Sequence, residues 1–387
     1  MNKIKLTVLS LLLILIISCK KNQESFAVMA YYMPSSEETN LNKLPLDRLT
    51  HIIFSFTKVI DNQMQFSDAD SGNQLKNLVK QKEKHPHLKV MVACGGWGGS
   101  GGFSEMATSE ENRQIFVSSC IQFLQEYELD GLDMDWEYPG LPGIGNPHKP
   151  EDKEGFTALM KELRTAMNQT GKKYTLTFAS AGWEKYYDFV ELDKVMPSVD
   201  YMNIMTYDFT GGNAKVTSHH TNLGLVTKDD FIDTPAYVKY TESETSYHPR
   251  SCQFIINYCI NKGVKPEKIV IGAAFYGKGW VGVDPDNNGL YQQNKGGWPG
   301  ARYYELKDNY INKNGFVRYW DETAKAPFLY SSQDSVFITY DDPESVALKT
   351  QYALNTKLGG IMFWQLNGDT QQNDLLNAID NEVKSIR

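Results

Sequence analysis

Eight short apolar runs, each followed by a stretch with helical periodicity or by a long connection, constrain the fold more than any other feature of this sequence. The predicted strands are residues 26–32, 50–59, 88–94, 129–136, 173–179, 199–207, 269–276 and 359–365. Alternating strands and helices are typical of a parallel sheet, and eight such units favour closure into a barrel. The sequence therefore predicts an α/β fold, a (β/α)8 TIM barrel, built from residues 26–277 and 336–387.

The alternation is interrupted once, between the seventh predicted strand and the last helical segments. About 65 residues separate them, which is too long for an ordinary loop. Residues 278–335 hold Tyr, Trp and Gly-rich turns, together with short strand-like runs at 316–320 and 328–330. We therefore expect a small α+β insertion domain over residues 278–335.

Composition excludes some classes of partner and is compatible with others. The chain has 387 residues, of which 41% are hydrophobic, and its net charge is −8 with a pI of about 5.5. A nucleic-acid partner would favour a basic protein, so none is expected. The 22 Tyr and 7 Trp suit a cleft in which aromatic faces stack on sugar rings, although an aromatic core explains the same count.

The first 25 residues have the pattern of an export signal rather than of a folded element. Lys3 and Lys5 precede an apolar run, residues 8–17, that is short for a membrane span. The run ends at Cys19 in a sequence that resembles a bacterial lipobox, in which the cysteine is lipidated. We expect residues 1–18 to be a lipoprotein signal peptide and 19–25 a polar tether, so that the protein is an exported bacterial lipoprotein bound to a membrane through Cys19. A plain signal peptide with a chance cysteine is the alternative.

The other cysteines give no sign of a disulfide framework or a metal site. Cys94 lies in a strand pattern and Cys120 in a helical one, while Cys252 and Cys259 are too far apart on one helix to form a disulfide. No CxxC pair or Cys/His cluster is present. We expect four buried, inert thiols and no metal.

The fourth predicted strand carries the strongest chemical signal. Asp133, Asp135 and Glu137 alternate with apolar residues, so one face of the strand bears three carboxyl groups. Like charges at close range push pKa values apart and leave one group protonated near neutral pH. A proton held on Glu137 at the carboxyl end of a barrel strand is what a general acid needs. A solvent-facing edge strand fits poorly, because a barrel has no edge, and a metal site fits poorly without histidine.

The segment from Asp130 to Glu137 also resembles the DGxDxDxE signature of family 18 glycoside hydrolases, the chitinases and their relatives. Four more segments resemble motifs of that family in the same order: 93–97 (ACGGW), 205–208 (MTYD), 272–277 (GAAFYG) and 359–364 (GGIMFW). The likeness runs from about residue 26 to 369, and residues 278–335 resemble the α+β insertion of the branch with a deep cleft.

The resemblance implies a mechanism that needs no cofactor and no protein nucleophile. Glu137 would protonate the bridging oxygen, and the substrate's own 2-acetamido carbonyl would attack C1 to give an oxazolinium intermediate with retention. Asp135 would hold the acetamido N–H and balance the developing charge, while Asp133 would share a proton with Asp135. Tyr207 would hydrogen-bond the acetamido oxygen.

The resemblance also implies a substrate-binding surface around these groups. Its expected members are Tyr31, Phe54, Gly96, Trp97, Tyr138, Met205, Asp208, Tyr276, Lys278 and Trp364. Two positions depart from the family pattern: Ala93 stands where Ser is usual, and Lys278 where Arg is common. Tyr31 could replace the missing hydroxyl near Asp133.

Together these features predict a chitinase that acts on chitin or N-acetylglucosamine oligosaccharides, and we expect it to be a monomer. An endo-β-N-acetylglucosaminidase acting on N-glycans would have the same motif and mechanism. A chitin-binding lectin on the same scaffold is the third alternative, but lectins of this family typically lose the acid that Glu137 provides here.

Overall fold

A computed structural model describes residues 26–34, 41–242 and 250–385 of the chain. Its strands are, in chain order, β1 (Ala27–Tyr32), β2 (His51–Ile60), β3 (Gln63–Gln65), β4 (Lys89–Gly95), β5 (Gly131–Asp135), β6 (Thr175–Ala181), β7 (Tyr201–Met205), β8 (Ile269–Ala274), β9 (Tyr276–Val281), β10 (Gly296–Arg302), β11 (Val317–Asp321), β12 (Ala326–Ser331), β13 (Val336–Tyr340) and β14 (Gly360–Trp364). The predicted leader, the tether and Cys19 lie outside the described residues.

Strands β1, β2, β4 to β8 and β14 are parallel and form the barrel. Strand β1 pairs with β14 on one side and with β2 on the other, so the sheet closes on itself. Short β3 pairs antiparallel with the end of β2. The predicted (β/α)8 barrel is therefore confirmed, and each predicted strand overlaps an observed one.

The helices are α1 (Ser71–Val79), α2 (Phe103–Thr108), α3 (Glu110–Glu126), α4 (Asp152–Gln169), α5 (Leu192–Val195), α6 (Pro235–Glu242), α7 (Cys252–Asn261), α8 (Tyr303–Asn309), α9 (Pro343–Asn355) and α10 (Asp374–Ser385). Three of them begin at side chains that accept hydrogen bonds from backbone N–H groups of the first turn: Ser109 before α3, Ser251 before α7 and Asp342 before α9. Helices α2, α6 and α8 were not predicted, because six to eight residues are too few to show a clear period.

The barrel strands separate two apolar layers. Side chains that point outward, such as Leu132 and Met134 of β5, pack in a large core against the helices. Side chains that point inward fill the barrel and include Met29, Ile53 and Met362. The interior is therefore a packed core, and only the carboxyl ends of the strands are free to form a site.

A second sheet lies between β8 and α9 in the chain. It is antiparallel, with the order β10-β9-β13-β12-β11, and it has its own apolar cluster around Trp280, Phe328 and Phe337. The sheet runs from Tyr276 to Tyr340, beyond both bounds of the predicted 278–335 segment. The reason is that its first and last strands, β9 and β13, pair with each other where the chain leaves and rejoins the barrel.

The four cysteines in the described part of the chain are free and buried, as expected. Within the same residues, no helix is long and apolar enough to cross a membrane.

Candidate active site

The three predicted carboxyl groups lie where β5 ends, and all three are buried. Asp133 is 0% exposed, Asp135 4% and Glu137 8%. The residues between them point the other way: Trp136, for example, stacks on Phe103 with ring centroids 5.2 Å apart. The strand therefore has the two-faced character that the alternation predicted.

Asp133 is the deepest of the three and its carboxylate is well supplied with donors. It accepts hydrogen bonds from the Tyr31 hydroxyl (2.9 Å), the Thr177 hydroxyl (2.5 Å) and the Asn203 amide (3.2 Å). Burial raises the pKa of Asp133 to about 6, although these three hydrogen bonds lower it. The contact expected between Tyr31 and Asp133 is present beside Ala93. Thr177 and Asn203 were missed, and their signal was a polar residue inside an apolar strand.

Asp135 has the opposite environment. Its Oδ1 atom is buried and accepts no hydrogen bond from any described residue. Burial first, and then the charges of Glu137 and Asp133, raise the pKa of Asp135 well above its ordinary value. A buried oxygen without a partner is uncommon and costly. Asp135 is therefore the residue of the cluster that holds a proton most firmly and still has room for a ligand donor.

Glu137 is poised between its two protonation states near neutral pH. Burial raises the pKa of Glu137 to about 7; a hydrogen bond with Tyr138 and the charge of Lys278 lower it, and the carboxylate of Asp208 raises it. Its backbone is held from below, because Glu137 N donates to Ser100 Oγ at 2.9 Å. Ser100 carries no motif signal and could not have been found from the sequence.

The glycine turn after β4 lets this backbone approach closely. Gly96 N donates to the Asp135 carbonyl oxygen at 2.7 Å. Gly95 and Gly96 have φ values of 115° and 78°, and a Cβ on Gly95 would lie 2.1 Å from the Asp135 carbonyl oxygen. Only glycine fits such a site without strain. Gly96 therefore shapes the support of the carboxyl cluster.

Asp208 forms a second charged group beside the first. Its Oδ1 atom accepts a hydrogen bond from Tyr276 Oη (2.6 Å), pairs with Lys278 Nζ (2.7 Å) and lies 3.6 Å from His220 Nδ1. Burial raises the pKa of Asp208, but the hydrogen bond with His220 and the charge of Lys278 outweigh this and hold it well below its ordinary value. Asp208 also has a φ of 58°, an uncommon conformation that aims its side chain at this group.

Aromatic side chains surround the two charged groups. Tyr207 is buried, and its pKa is raised well above its usual value by burial and then by the charge of Asp135, so it is a neutral donor. Trp97 is 49% exposed and meets Tyr138 edge to face, with ring centroids 6.4 Å apart. Met205 is half-buried at the end of β7. The predicted residues therefore gather at one end of the barrel, with one exception.

The exception is Phe54, which was predicted to bind substrate and does not reach the site. Its side chain is 0% exposed and packs outward, with its ring centroid 5.8 Å from that of Phe66. Phe56 is the aromatic residue of β2 at the barrel end, where it stacks on Trp364 with ring centroids 5.5 Å apart. The β2–β4 pairing shifts register between Ser55 and Thr57, which interrupts the alternation and turns Phe56 inward.

A buried ion pair, also missed, supports the site from behind. Lys349 Nζ lies 2.6 Å from Asp341 Oδ2, and both side chains are 0% exposed. The same Lys349 atom donates to Thr221 Oγ1 at 2.6 Å, and Thr221 Oγ1 lies 3.2 Å from the carbonyl oxygen of Thr206, the neighbour of Tyr207. Asp341 Oδ2 also accepts from Ala274 N at 2.9 Å. The pair thus joins the ends of β7, β8 and the second sheet.

Among the described residues, no group of three or more His, Cys, Asp or Glu side chains has the geometry to hold a metal ion. The chemistry of the site lies in protons: a buried acid near its pKa, a second acid that keeps its proton, and neutral phenols.

Comparison with known proteins gives a consistent result. The sequence profile of the Glycosyl hydrolases family 18 matches residues 27–369. Chitinase A1 of Niallia circulans is 39% identical over 323 residues, which are 80% of this chain and 45% of that protein. Chitinase B of Serratia marcescens is 30% identical over 400 residues, 88% of this chain and 77% of that protein. The chain thus spans less than half of the first relative and about three quarters of the second.

A solved structure is similar over most of the chain. The family 18 N-acetylglucosaminidase of Paenibacillus barengoltzii superposes with a TM-score of 0.81 and 36% sequence identity. The superposition covers 92% of this chain and 100% of the other.

Proposed function

Because this chain belongs to glycosyl hydrolase family 18, we propose that it is a chitinase that cleaves β-1,4 links between N-acetylglucosamine units with retention, with Glu137 as the acid. The single observation that carries this proposal is the pKa of about 7 at Glu137, an acid that is buried at the barrel end beside the unpaired Oδ1 of Asp135. A group with that pKa holds and releases its proton at neutral pH.

The reaction needs three groups that act in order. Glu137 gives its proton to the bridging oxygen as the C1–O bond breaks, and the substrate's acetamido oxygen forms a new bond to C1. Asp135 Oδ1 is free to accept the acetamido N–H, and the neutral Tyr207 hydroxyl to donate to the acetamido oxygen. The Glu137 carboxylate then takes a proton from water as that water opens the oxazolinium ring, which restores the acid.

The lower part of the site holds the carboxyl cluster in position. Asp133 is saturated by three donors and stays in place, so Asp135 is the member of the pair with freedom to serve the ligand. Ser100 fixes the Glu137 backbone, and the Asp208–Lys278 pair sets the charge around its carboxyl group. Proximity and orientation of this kind account for a large part of enzymatic rate enhancement.

Substrate length and branching test the chitinase assignment against an endo-β-N-acetylglucosaminidase. The second sheet forms a wall next to β8, where Tyr276 and Lys278 begin its first strand. Such a wall favours a linear chain across several subsites over a branched glycan. The protein should be incubated with chitin oligosaccharides of about four to six sugars and, separately, with a high-mannose glycoprotein, and products read by mass.

We expect the oligosaccharides to be cut mainly to dimers and the glycoprotein to be left intact, with no cleavage by Glu137→Gln. Release of whole glycans with chitin oligosaccharides untouched would replace the chitinase assignment by the N-glycan one. Tight binding of both wild type and Glu137→Gln to chitin, with no cleavage by either, would instead indicate a lectin.

We also propose that the protein is an exported bacterial lipoprotein that is membrane-anchored through Cys19. Acyl chains supply about 0.8 kcal/mol per buried CH₂. Wild-type protein should incorporate labelled palmitate in a bacterial host and fractionate with membranes, whereas Cys19→Ala should incorporate none. Equal labelling of the variant would mean that the signal sequence is of another kind.

A further inference from the structure

The two ends of the barrel carry opposite charge. We define the base face as the described segments that lead into barrel strands: 41–50, 80–89, 127–130, 170–174, 196–200, 262–268 and 356–359. They contain twelve Lys and Arg against six Asp and Glu, a formal charge of +6. The chain as a whole carries −8, so its remainder carries −14. A positive face on an acidic protein calls for an explanation.

The opposite end shows that the asymmetry follows the barrel axis. We define the mouth segments as those described after barrel strands, leaving out the second sheet: 61–70, 96–102, 136–151, 182–191, 206–234 and 365–373. They contain thirteen Asp and Glu against four Lys, a formal charge of −9. An anionic surface would therefore attract the base face and repel the mouth.

Stability explains only some of the basic residues of the base face. Lys172 Nζ donates to the Leu129 carbonyl oxygen at 2.7 Å, and Lys268 Nζ to two carbonyl oxygens at 2.6 and 2.7 Å. Lys82 pairs with Asp130 at 2.7 Å. Such lysines satisfy carbonyl groups and carboxylates of the fold itself, and they would be needed in any barrel of this kind.

Three other lysines have no such task. Lys173, Lys265 and Lys357 are exposed, precede β6, β8 and β14 in turn, and make no side-chain hydrogen bond or ion pair with any described residue. They offset helix dipoles weakly, since lysines near helix ends contribute little at an exposed surface. Their charges are left for a partner outside the chain.

The chain itself indicates which partner. Phe26 comes directly before β1 and therefore lies at the base end of the barrel, where it lines a cavity together with Arg48 and His87. Only six residues separate Phe26 from Cys19, and even fully extended the connection spans at most about 25 Å. A lipid on Cys19 would hold the base face close to the bilayer, within a few Debye lengths of its surface.

We propose that the base face lies against the anionic surface of the membrane into which Cys19 is anchored, so that the catalytic mouth points away from it. The proposal rests on the lipid anchor but not on the enzymatic activity. Lipid headgroups with negative charge would attract the unpaired lysines and disfavour the acidic mouth, and the two effects together would orient a protein whose tether alone leaves it free to tumble.

The test uses the part of the chain that follows the tether, residues 26–387, so that no lipid anchor contributes. This part is an independent folding unit: the solved family 18 structure that covers 92% of this chain is matched over 100% of its own length. Its binding to vesicles of phosphatidylcholine with about one quarter phosphatidylglycerol should be measured by co-sedimentation, against vesicles of phosphatidylcholine alone.

We expect binding to the anionic vesicles only, and release by high salt. The variant with Lys173→Gln, Lys265→Gln and Lys357→Gln should bind at least about tenfold more weakly, since each lysine near a charged surface contributes up to about fivefold. The matched control changes three exposed lysines of the mouth segments, Lys149→Gln, Lys185→Gln and Lys215→Gln. It alters the net charge equally and should bind as the wild type does.

Equal weakening in the control would overturn the proposal, because total charge and not the base face would then govern binding. So would absence of binding to anionic vesicles at low salt, or self-association of the soluble protein that the base-face variant abolishes, which would mean that the face meets the acidic mouth of a second copy. Failure of the palmitate label with intact vesicle binding would remove the anchor and leave the basic face standing.

Discussion

The mouth and the base of this barrel bury ionisable groups alike, but only at the mouth do they form a site. At the mouth, burial raises the pKa of Asp133 to about 6 and that of Glu137 to about 7. At the base, burial and then the charge of Lys89 lower the pKa of His51 to about 3. Each shift favours the neutral form, which is what a low dielectric does to any such group.

The difference lies in what surrounds each buried group. His51 is isolated: its ring faces Tyr201 edge-on at 6.2 Å, and its Nε2 atom has no partner among the described residues. At the mouth three acids converge and Tyr207 and Lys278 surround them. A shifted pKa therefore indicates function only where several groups converge on an accessible space. Substitutions at the two ends should separate activity from stability.

The largest effect should come from Glu137→Gln at the mouth. The amide keeps the shape of the side chain but has no acid proton, so kcat should fall by about 10²- to 10⁴-fold. Binding of chitin oligosaccharides and the free energy of unfolding should stay near wild type, as read by calorimetry and thermal melting. His51→Gln at the base is the counterpart and should leave kcat unchanged. A loss of activity in both variants would break the comparison.

Lys349→Met should have the largest effect on stability. The change leaves Asp341 charged and buried, and breaking a buried pair costs about 3–5 kcal/mol in the free energy of unfolding. The cost should fall when Asp341→Asn is added, because the amide oxygen can still accept from Ala274 N without a charge. Urea unfolding of the single and double variants measures both values. A double variant less stable than Lys349→Met would mean that charge is not the cause.

The barrel and most of the site could be predicted because their signals are periodic or local. Eight strand-like runs predict the barrel, and alternation along β5 puts Asp133, Asp135 and Glu137 on one face. Phe54 fails because the register shift after Ser55 is invisible in the sequence and decides which aromatic residue of β2 turns inward.

Long-range partners are the other part that the sequence does not reveal. Lys349 follows the period of a helix and reads as a solvent-facing residue, yet it is fully buried. Its partners Asp341 and Thr221 are 8 and 128 positions away in the chain. Thr177 and Asn203 could have been suspected, because a polar side chain inside an apolar strand needs a partner.

The next effect concerns the base and acid pH. The pKa of His51 is about 3 in the folded protein and 6.5 ordinarily, so below pH 6.5 protons bind the unfolded chain first. The free energy of unfolding should therefore fall by about 1.4 kcal/mol per pH unit from this residue alone, or roughly 2 kcal/mol by pH 5. In His51→Gln this part of the slope should vanish, whereas His87→Gln, at the same end, should keep it. Urea unfolding between pH 7 and 5 checks the slopes, and identical slopes in all three proteins would exclude His51 as their source.

The smallest effect is a shift in the pH dependence at the mouth. Glu137 must be protonated to act, so kcat/KM should fall as pH rises through about 7. Lys278 lowers the pKa of Glu137 and Asp208 raises it. Lys278→Met should therefore move the alkaline limb to higher pH and Asp208→Asn to lower pH.

Both shifts should be smaller than about one pH unit, because the Lys278 and Asp208 side chains are 28% and 45% exposed and water screens their charges. Breaking the Lys278–Asp208 pair also leaves the remaining partner uncompensated, and its charge acts on Glu137 in the same direction as the loss. Rates on a soluble chitin oligosaccharide, measured across pH at low and at high salt, should show opposite shifts that shrink with salt. Shifts in one direction for both variants would assign the alkaline limb to a group other than Glu137, and the comparison between the two ends would then lose its clearest sign that the mouth tunes an acid.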